Sequence, residues 1–422
     1  MLENILKKSV KKGISIVSAG AIFLSGIGAG GCVNYHSKSV PVIEEIVSGY
    51  EEVPENIEEP IEFEEEGLDM KDFLDKDYLI VGPEHFLENK TLKEYVKHRE
   101  NEGFKIGLAD IEKVDEFYAS EVTGSLKNFI GEVSSSGSLK YVLLVGKRDN
   151  VPASYFYNDS QRKGFGDNAF ANLEGDVVPE IAIGRIPSEN EEELENSLEK
   201  IISFEQSNSW ENYENVFVAA ADRNVLWDGY GFDEIFEDLI IPLVPLEQNV
   251  TRLYEQDSPI IFANSQKLTA DLVNKINEGV FLVAYAGHGL ESEWGNTNFY
   301  ESNFNLENIN SLENQVYPIF YSSGCLTNAY SEGEEDNFGE ALVNSEKGGV
   351  AYFGASSQTG GSQYLTEGFF SALYGENDLN RIGDIIVYAK NFARDNEPWG
   401  WNNWNKHAYE FNLLGDPTLK IK

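Results

Sequence analysis

Five short runs in this sequence are dominated by apolar residues at successive positions, and they limit the fold more than any other feature. They are Tyr78 to Gly82, Leu139 to Gly146, Val280 to Tyr285, Tyr317 to Tyr321 and Gly349 to Phe353. A strand with one wet face alternates apolar and polar residues; a strand covered on both faces does not. Strands of the second kind belong to parallel sheets with helices above and below. Segments of helical period separate them: Thr91 to Gly103 with Leu92, Tyr95 and Val96 inward, Leu126 to Val133, and Glu191 to Phe204. Phe338 to Ser345, Leu365 to Tyr374 and Ile382 to Ala393 continue the pattern, with further strands at Phe104 to Leu108, Ile181 to Gly184 and Asn215 to Ala220. The alternation predicts an α/β fold of mostly parallel sheets flanked by helices.

With 422 residues the chain can hold two domains or one large domain in two halves. The strand and helix segments divide into two consecutive subdomains, 77–213 and 214–422, meeting near Trp210 to Asn215. Ahead of them, Lys7, Lys8, Lys11 and Lys12 precede the apolar stretch Ile14 to Ile27, which ends in Ala29-Gly30-Gly31-Cys32. A basic start, a short apolar core and small residues before a cut describe a signal peptide over 1–31. A membrane anchor is the alternative, because the apolar run approaches spanning length. Cys32 stands at a lipidation position, so the rest of the chain is expected outside the cytoplasmic membrane, secreted or anchored at the cell surface. Residues 32–76 are dominated by Glu and read as a solvated acidic tether, or as a pro-segment.

The formal charge of −40 excludes a nucleic-acid partner, since phosphate binding needs clustered Lys and Arg. It also excludes electrostatic docking on an anionic bilayer, leaving the N-terminal segment as the only membrane contact. An acidic surface attracts basic substrates.

If Cys32 is lipidated, Cys325 is a lone thiol in an exported protein, either reactive or inertly buried. Active sites of open parallel sheets collect just beyond the carboxyl ends of strands. Two such ends carry reactive groups. Val280 to Tyr285 runs into Ala286-Gly287-His288-Gly289, and Tyr317 to Tyr321 runs into Ser322-Ser323-Gly324-Cys325. The intervening loop and one short helix, Ser302 to Glu313, suit a crossover between parallel neighbours. An imidazole beside a thiol supplies thiolate and later protonates the leaving amine. The N–H groups of Gly289 and Cys325 are natural oxyanion donors. A Gly-His-Gly turn alone is often only a turn, and a lone cysteine often a core filler; it is their pairing that suggests catalysis.

The apolar block ending in His288-Gly289, followed by the block ending in Cys325, resembles the clan of caspases, legumains and gingipains, and the chain is most similar to the gingipain family. Tyr141 to Pro152, Pro179 to Pro187, Gly339-Glu340-Ala341, Gly348-Gly349-Val350 and Asn412 to Pro417 support this, over roughly Tyr78 to Lys422. The resemblance implies a caspase-like α/β fold and a cysteine endopeptidase acting on protein or peptide substrates through a thioester. It implies Glu180 as the acid that orients the imidazole, and offers Glu191 as the acidic specificity residue; as a residue alone, Glu191 is a first-turn helix acid. No cofactor is needed for the chemistry. Structural calcium is implied by the resemblance, with Asp167, Glu174 and Asp176 as oxygen donors that otherwise read as solvated turn acids. His36, His85 and His98 are left without a catalytic part, and His407 is read as structural. The chain stops at Lys422, so the immunoglobulin-like domain of the best-known gingipains is expected to be missing.

Two other readings stay open: a catalytically silent surface binding or assembly module on the same fold, and a transpeptidase using the same thioester.

Overall fold

The computed structural model describes residues 67–421, apart from 119–121, 158–162, 208–214, 221–231, 255–260, 296–301, 332–334, 360–362, 376–377 and 398–406. The leader, Cys32, His36 and most of the acidic tether lie outside the described residues, as does most of the junction near Trp210. The folded region starts before Asp77: Asp69 caps a short 3-10 helix, Met70–Asp72, and Phe73 is buried.

Fifteen strands are described: β1 (Tyr78–Gly82), β2 (Ile106–Asp110), β3 (Tyr141–Val145), β4 (Ser154–Tyr157), β5 (Lys163–Gly166), β6 (Ala182–Ile186), β7 (Asn215–Ala220), β8 (Asn249–Tyr254), β9 (Leu282–Ala286), β10 (His288–Leu290), β11 (Glu293–Gly295), β12 (Ser302–Asn305), β13 (Ile319–Ser322), β14 (Ala351–Ala355) and β15 (Phe411–Leu414). Ten of them form one sheet, in the order β2-β1-β3-β6-β15-β14-β13-β9-β7-β8. Every neighbouring pair is parallel except β14 with β15. The sheet is therefore two parallel blocks running in opposite directions, and β15 lies where they meet. The fold is α/β, mostly parallel and flanked by helices, as the continuous apolar runs predict; β1, β3, β9, β13 and β14 are buried at every position.

Side chains on successive strand positions go to opposite faces. One face carries a core that crosses both blocks, with Ile80, Leu143, Ala284, Tyr321, Phe353 and Leu413 beneath helices Glu191–Gln206, Gln363–Tyr374 and Ile382–Asn396. The other face is divided. Leu79, Val81, Val142 and Leu144 pack under Val122–Ser134. Val283, Tyr285, Phe320, Tyr352 and Leu414 pack under Ile261–Glu278 and Phe338–Asn344.

The crossover from β9 to β13 differs from the expected loop and helix Ser302 to Glu313. It is an antiparallel ribbon, β10-β11-β12, and the helix is confined to Leu306–Asn310. Trp294 on β11 buries its indole completely, which anchors strands too short to be read from local pattern.

Two buried ionic groups tie distant segments together. Arg99 and Asp416 are both fully buried and 2.5 Å apart, and Asp416 also accepts from Tyr78 (2.9 Å), Tyr95 (2.6 Å) and the Thr418 amide (2.7 Å). Burial opposes charge on Asp416, but the Arg99 guanidinium, with the Tyr95 and Thr418 donors, outweighs it and holds the carboxyl below the ordinary range. Arg185 makes a bidentate pair with Asp167 (2.9 and 2.7 Å) and donates to the carbonyls of Gly146 and Val151. Among the described residues, no helix is long and apolar enough to cross a membrane.

Candidate active site

β9 and β13 are hydrogen-bonded neighbours, with Tyr285 opposite Ser322. Each chain runs three residues beyond that pair, to His288 and to Cys325, and the Ser323 amide extends the ladder to the Tyr285 carbonyl (3.0 Å). The imidazole and the thiol therefore leave the sheet at the same rim. Both residues are half-buried. The two turns touch: a Cβ on Gly289 would lie 2.6 Å from the Cys325 carbonyl oxygen and 2.4 Å from Thr327 Cγ2. Glycine is what permits this approach. Gly289→Ala is expected to push the turns apart, costing about 1–3 kcal/mol, a loss that denaturant unfolding measures.

The ribbon missed in the sequence positions His288. The Tyr285 hydroxyl lies 2.7 Å from the His288 carbonyl and 2.8 Å from the Gly295 carbonyl, within donating reach of either. Its ring stacks on Trp294 at 4.4 Å and 5°. The His288 ring meets Phe232 edge-on, with centroids 5.7 Å apart.

The turn after β13 is built from its own hydroxyls and amides. Ser322 Oγ accepts from the Gly324 amide (3.3 Å), and Thr327 Oγ1 donates to the Gly324 carbonyl (3.2 Å). Leu326 has φ +60, a left-handed conformation that a leucine rarely adopts, directly after the thiol. Its amide is fixed by the Ser357 carbonyl at 3.0 Å, and the Asn328 amide by Ala355 at 3.0 Å. Strain of this kind persists where the surroundings impose it, commonly at functional sites. Cys325 Sγ donates to the Thr359 carbonyl at 3.0 Å.

Beside Leu326 opens a cleft of about 570 Å³, within the size range of ligand sites. Glu291, Glu335 and Asp336 line it together with Arg148, whose guanidinium lies 3.9 Å from the Phe165 ring centroid. Lys147 pairs with Asp336 at 2.8 Å, so Glu291 and Glu335 leave the cleft with a net negative charge against Arg148. Tyr330, also in the lining, donates to Asp167 at 2.7 Å. The Arg185–Asp167 pair thus supports the cleft from the first block.

The other sequence-derived residues fall elsewhere. Glu180 precedes β6, whose amino end shares the rim because the blocks are opposed, but β15, β14 and β13 lie between β6 and β9. At ~4.8 Å per strand that is on the order of 19 Å. Its exposed carboxylate accepts from the Leu173 (2.6 Å) and Glu174 (3.4 Å) amides, and among the described residues it makes no contact with His288. Glu191 is exposed in the first turn of its helix, behind the Asn190 cap. Asp167 is no free oxygen donor, being held by Arg185, which corrects its place among the calcium candidates. Glu174, Asp176 and Glu180 do converge, their carboxylate oxygens within 4.8 Å of one another. Carboxylate oxygens are donors of the kind calcium takes, as part of a shell of 6–8 oxygens that also draws on backbone carbonyls and water. His98 pairs with Glu205 at 2.9 Å, far from the rim chemistry. His407 is buried, with Thr359 Oγ1 at 3.5 Å, a contact that sequence spacing gave no sign of.

A mostly parallel sheet that delivers an imidazole and a thiol from adjacent strand ends is an architecture of cysteine peptidases. The profile of peptidase family C25 matches residues 71–422, and the chain belongs to that family. It is 24% identical over 362 residues to gingipain R2 of Porphyromonas gingivalis, covering 78% of this chain and 44% of that protein. Lys-gingipain of the same organism is 22% identical over 343 residues, covering 79% and 18%. An uncharacterised protein of Archaeoglobus fulgidus is 26% identical over 330 residues, covering 68% and 76%. The chain spans less than half the length of the gingipains it matches. The crystal structure of the Arg-specific cysteine proteinase gingipain R shares the fold with a TM-score of 0.69 at 18% identity, covering 82% of this chain and 78% of that one.

Proposed function

We propose that this protein is an exported cysteine endopeptidase with Cys325 as nucleophile and His288 as general acid and base. The observation that carries the reading is the register of β9 against β13, which sends both groups to one rim. His288 accepts the thiol proton as Cys325 Sγ attacks the scissile carbonyl. The N–H groups of Gly289 and Cys325 receive the oxyanion. The C–N bond then breaks as the imidazolium protonates the leaving amine, leaving a thioester at Cys325. Water, deprotonated by His288, attacks the thioester, and the acid product leaves as the thiol takes back its proton.

We further infer a preference for basic side chains near the scissile bond. Glu291 and Glu335 in the cleft beside Leu326, on a chain of net charge −40, support it. Export rests on the leader composition of residues 1–31, with Cys32 as a lipid attachment point.

Incubation with a mixed peptide library tests the reading. Cleavage by the wild type that vanishes in Cys325→Ala, with sites enriched in Lys or Arg, is the expected outcome. Intact peptides after any activating cut would favour the binding-module alternative. An amide adduct formed with an added amine would mark a transpeptidase.

A further inference from the structure

Three buried ionisable side chains stand behind the nucleophile without a part in the chemistry above. His407 is 5% exposed and Glu410 0%, and the side chain of Glu397 is 8% exposed. His407 Nδ1 lies 3.5 Å from Glu410 and Nε2 3.9 Å from Glu397. Burying two carboxylates around one imidazole is costly, so the arrangement calls for a reason.

The segment 356–359 gives one, because it bridges this cluster and the nucleophile turn. At one end the Ser356 amide donates to the Glu410 carbonyl at 2.7 Å, and Ser356 Oγ does so at 3.1 Å. At the other end Thr359 Oγ1 meets His407 Nδ1 at 3.5 Å. Between these anchors the segment contacts the nucleophile turn twice: Ser357 takes the Leu326 amide, and the Thr359 carbonyl takes the Cys325 thiol. A thiol that donates to a carbonyl keeps its proton and turns its sulfur toward that oxygen.

We propose that His407 is a positioning residue: through Thr359 it holds a main-chain carbonyl against Cys325 and keeps the resting thiol protonated. The inference rests on the peptidase reading of Cys325 and adds a resting state to it. Attack then requires the S–H bond to turn from the Thr359 carbonyl to His288, which takes the proton. Loosening the segment frees the thiol for that transfer.

The experiment follows alkylation of Cys325 by iodoacetamide in the full chain, by intact mass at fixed pH, in wild type, Thr359→Val, His407→Ala and His407→Asn. Thr359→Val removes only the hydroxyl that His407 meets, at a half-buried position, and keeps the carbonyl. Its alkylation is expected about fivefold faster than wild type, the factor carried by a hydrogen bond of ordinary net strength. His407→Ala should behave alike. His407→Asn keeps a polar atom where Nδ1 stands and should return the rate toward wild type. A merely structural role would lower the unfolding midpoint without accelerating the thiol. Folded Thr359→Val alkylated no faster than wild type overturns the inference. The peptidase reading is tested separately by His288→Ala, which should slow the same alkylation whatever the state of the latch.

Discussion

His288→Ala is expected to lower the rate of peptide cleavage by about 10³-fold, the middle of the range for loss of a positioned acid–base group. Unfolding should change little. The ring is half-buried and meets Phe232 at its edge, while the loop itself is held by the Tyr285 hydroxyl and the contact of Gly289 with Cys325. Initial rates at subsaturating peptide, with a denaturant curve on each sample, separate the two effects. A loss of less than tenfold in a folded variant would place the base elsewhere. Cys325→Ala should reach the assay floor, since no other thiol in the described region can form the thioester.

Asp416→Ala is expected to produce the largest loss of stability, about 3–5 kcal/mol, as for other buried pairs that lose one partner. Arg99 would keep Glu205 (2.7 Å) and Glu102 (2.8 Å), but Tyr78, Tyr95 and Thr418 would lose their shared acceptor. The sign of the pH dependence follows from the depressed carboxyl of Asp416. A folded value below the unfolded one, ~3.9, stabilises the protein above that pH, and the contribution disappears as pH falls through the folded value. Urea titrations from pH 7 down to pH 2 should show a steep acid loss in the wild type, opening below about pH 4, and a shallower one in Asp416→Asn. Parallel curves would remove Asp416 from the account of acid stability.

The parts of the fold that sequence made legible are those whose signal is local. β1, β3, β9, β13 and β14 are apolar at successive positions because both faces are covered, and Asn215–Ala220 is found where its pattern puts it. The helix Ile261–Glu278 was also within reach, since Leu268, Leu272 and Ile276 recur every four residues. The reversal of the two blocks was not, because it depends on the four residues of β15 lying between β6 and β14, far away in sequence. Strands of three residues such as β10 and β11 carry no period to detect. The convergence of His288 and Cys325 on one rim was legible, because both follow apolar strands one crossover apart. Glu180 rested on resemblance alone, and the structure gives its carboxylate a local partner. Tyr285, Thr359 and His407 owe their places to tertiary proximity, which neither composition nor spacing encodes.

The strand that joins the two blocks follows the other nine in the sequence. During synthesis the ribosome must pass residue 414 before β6 and β14 can acquire their shared neighbour. A nascent chain halted earlier would present two unfinished sheet edges, each open to pairing with another chain. Closure of the sheet thus waits for synthesis of Phe411–Leu414, and messages cut short upstream of that strand should yield aggregates in place of a joined sheet.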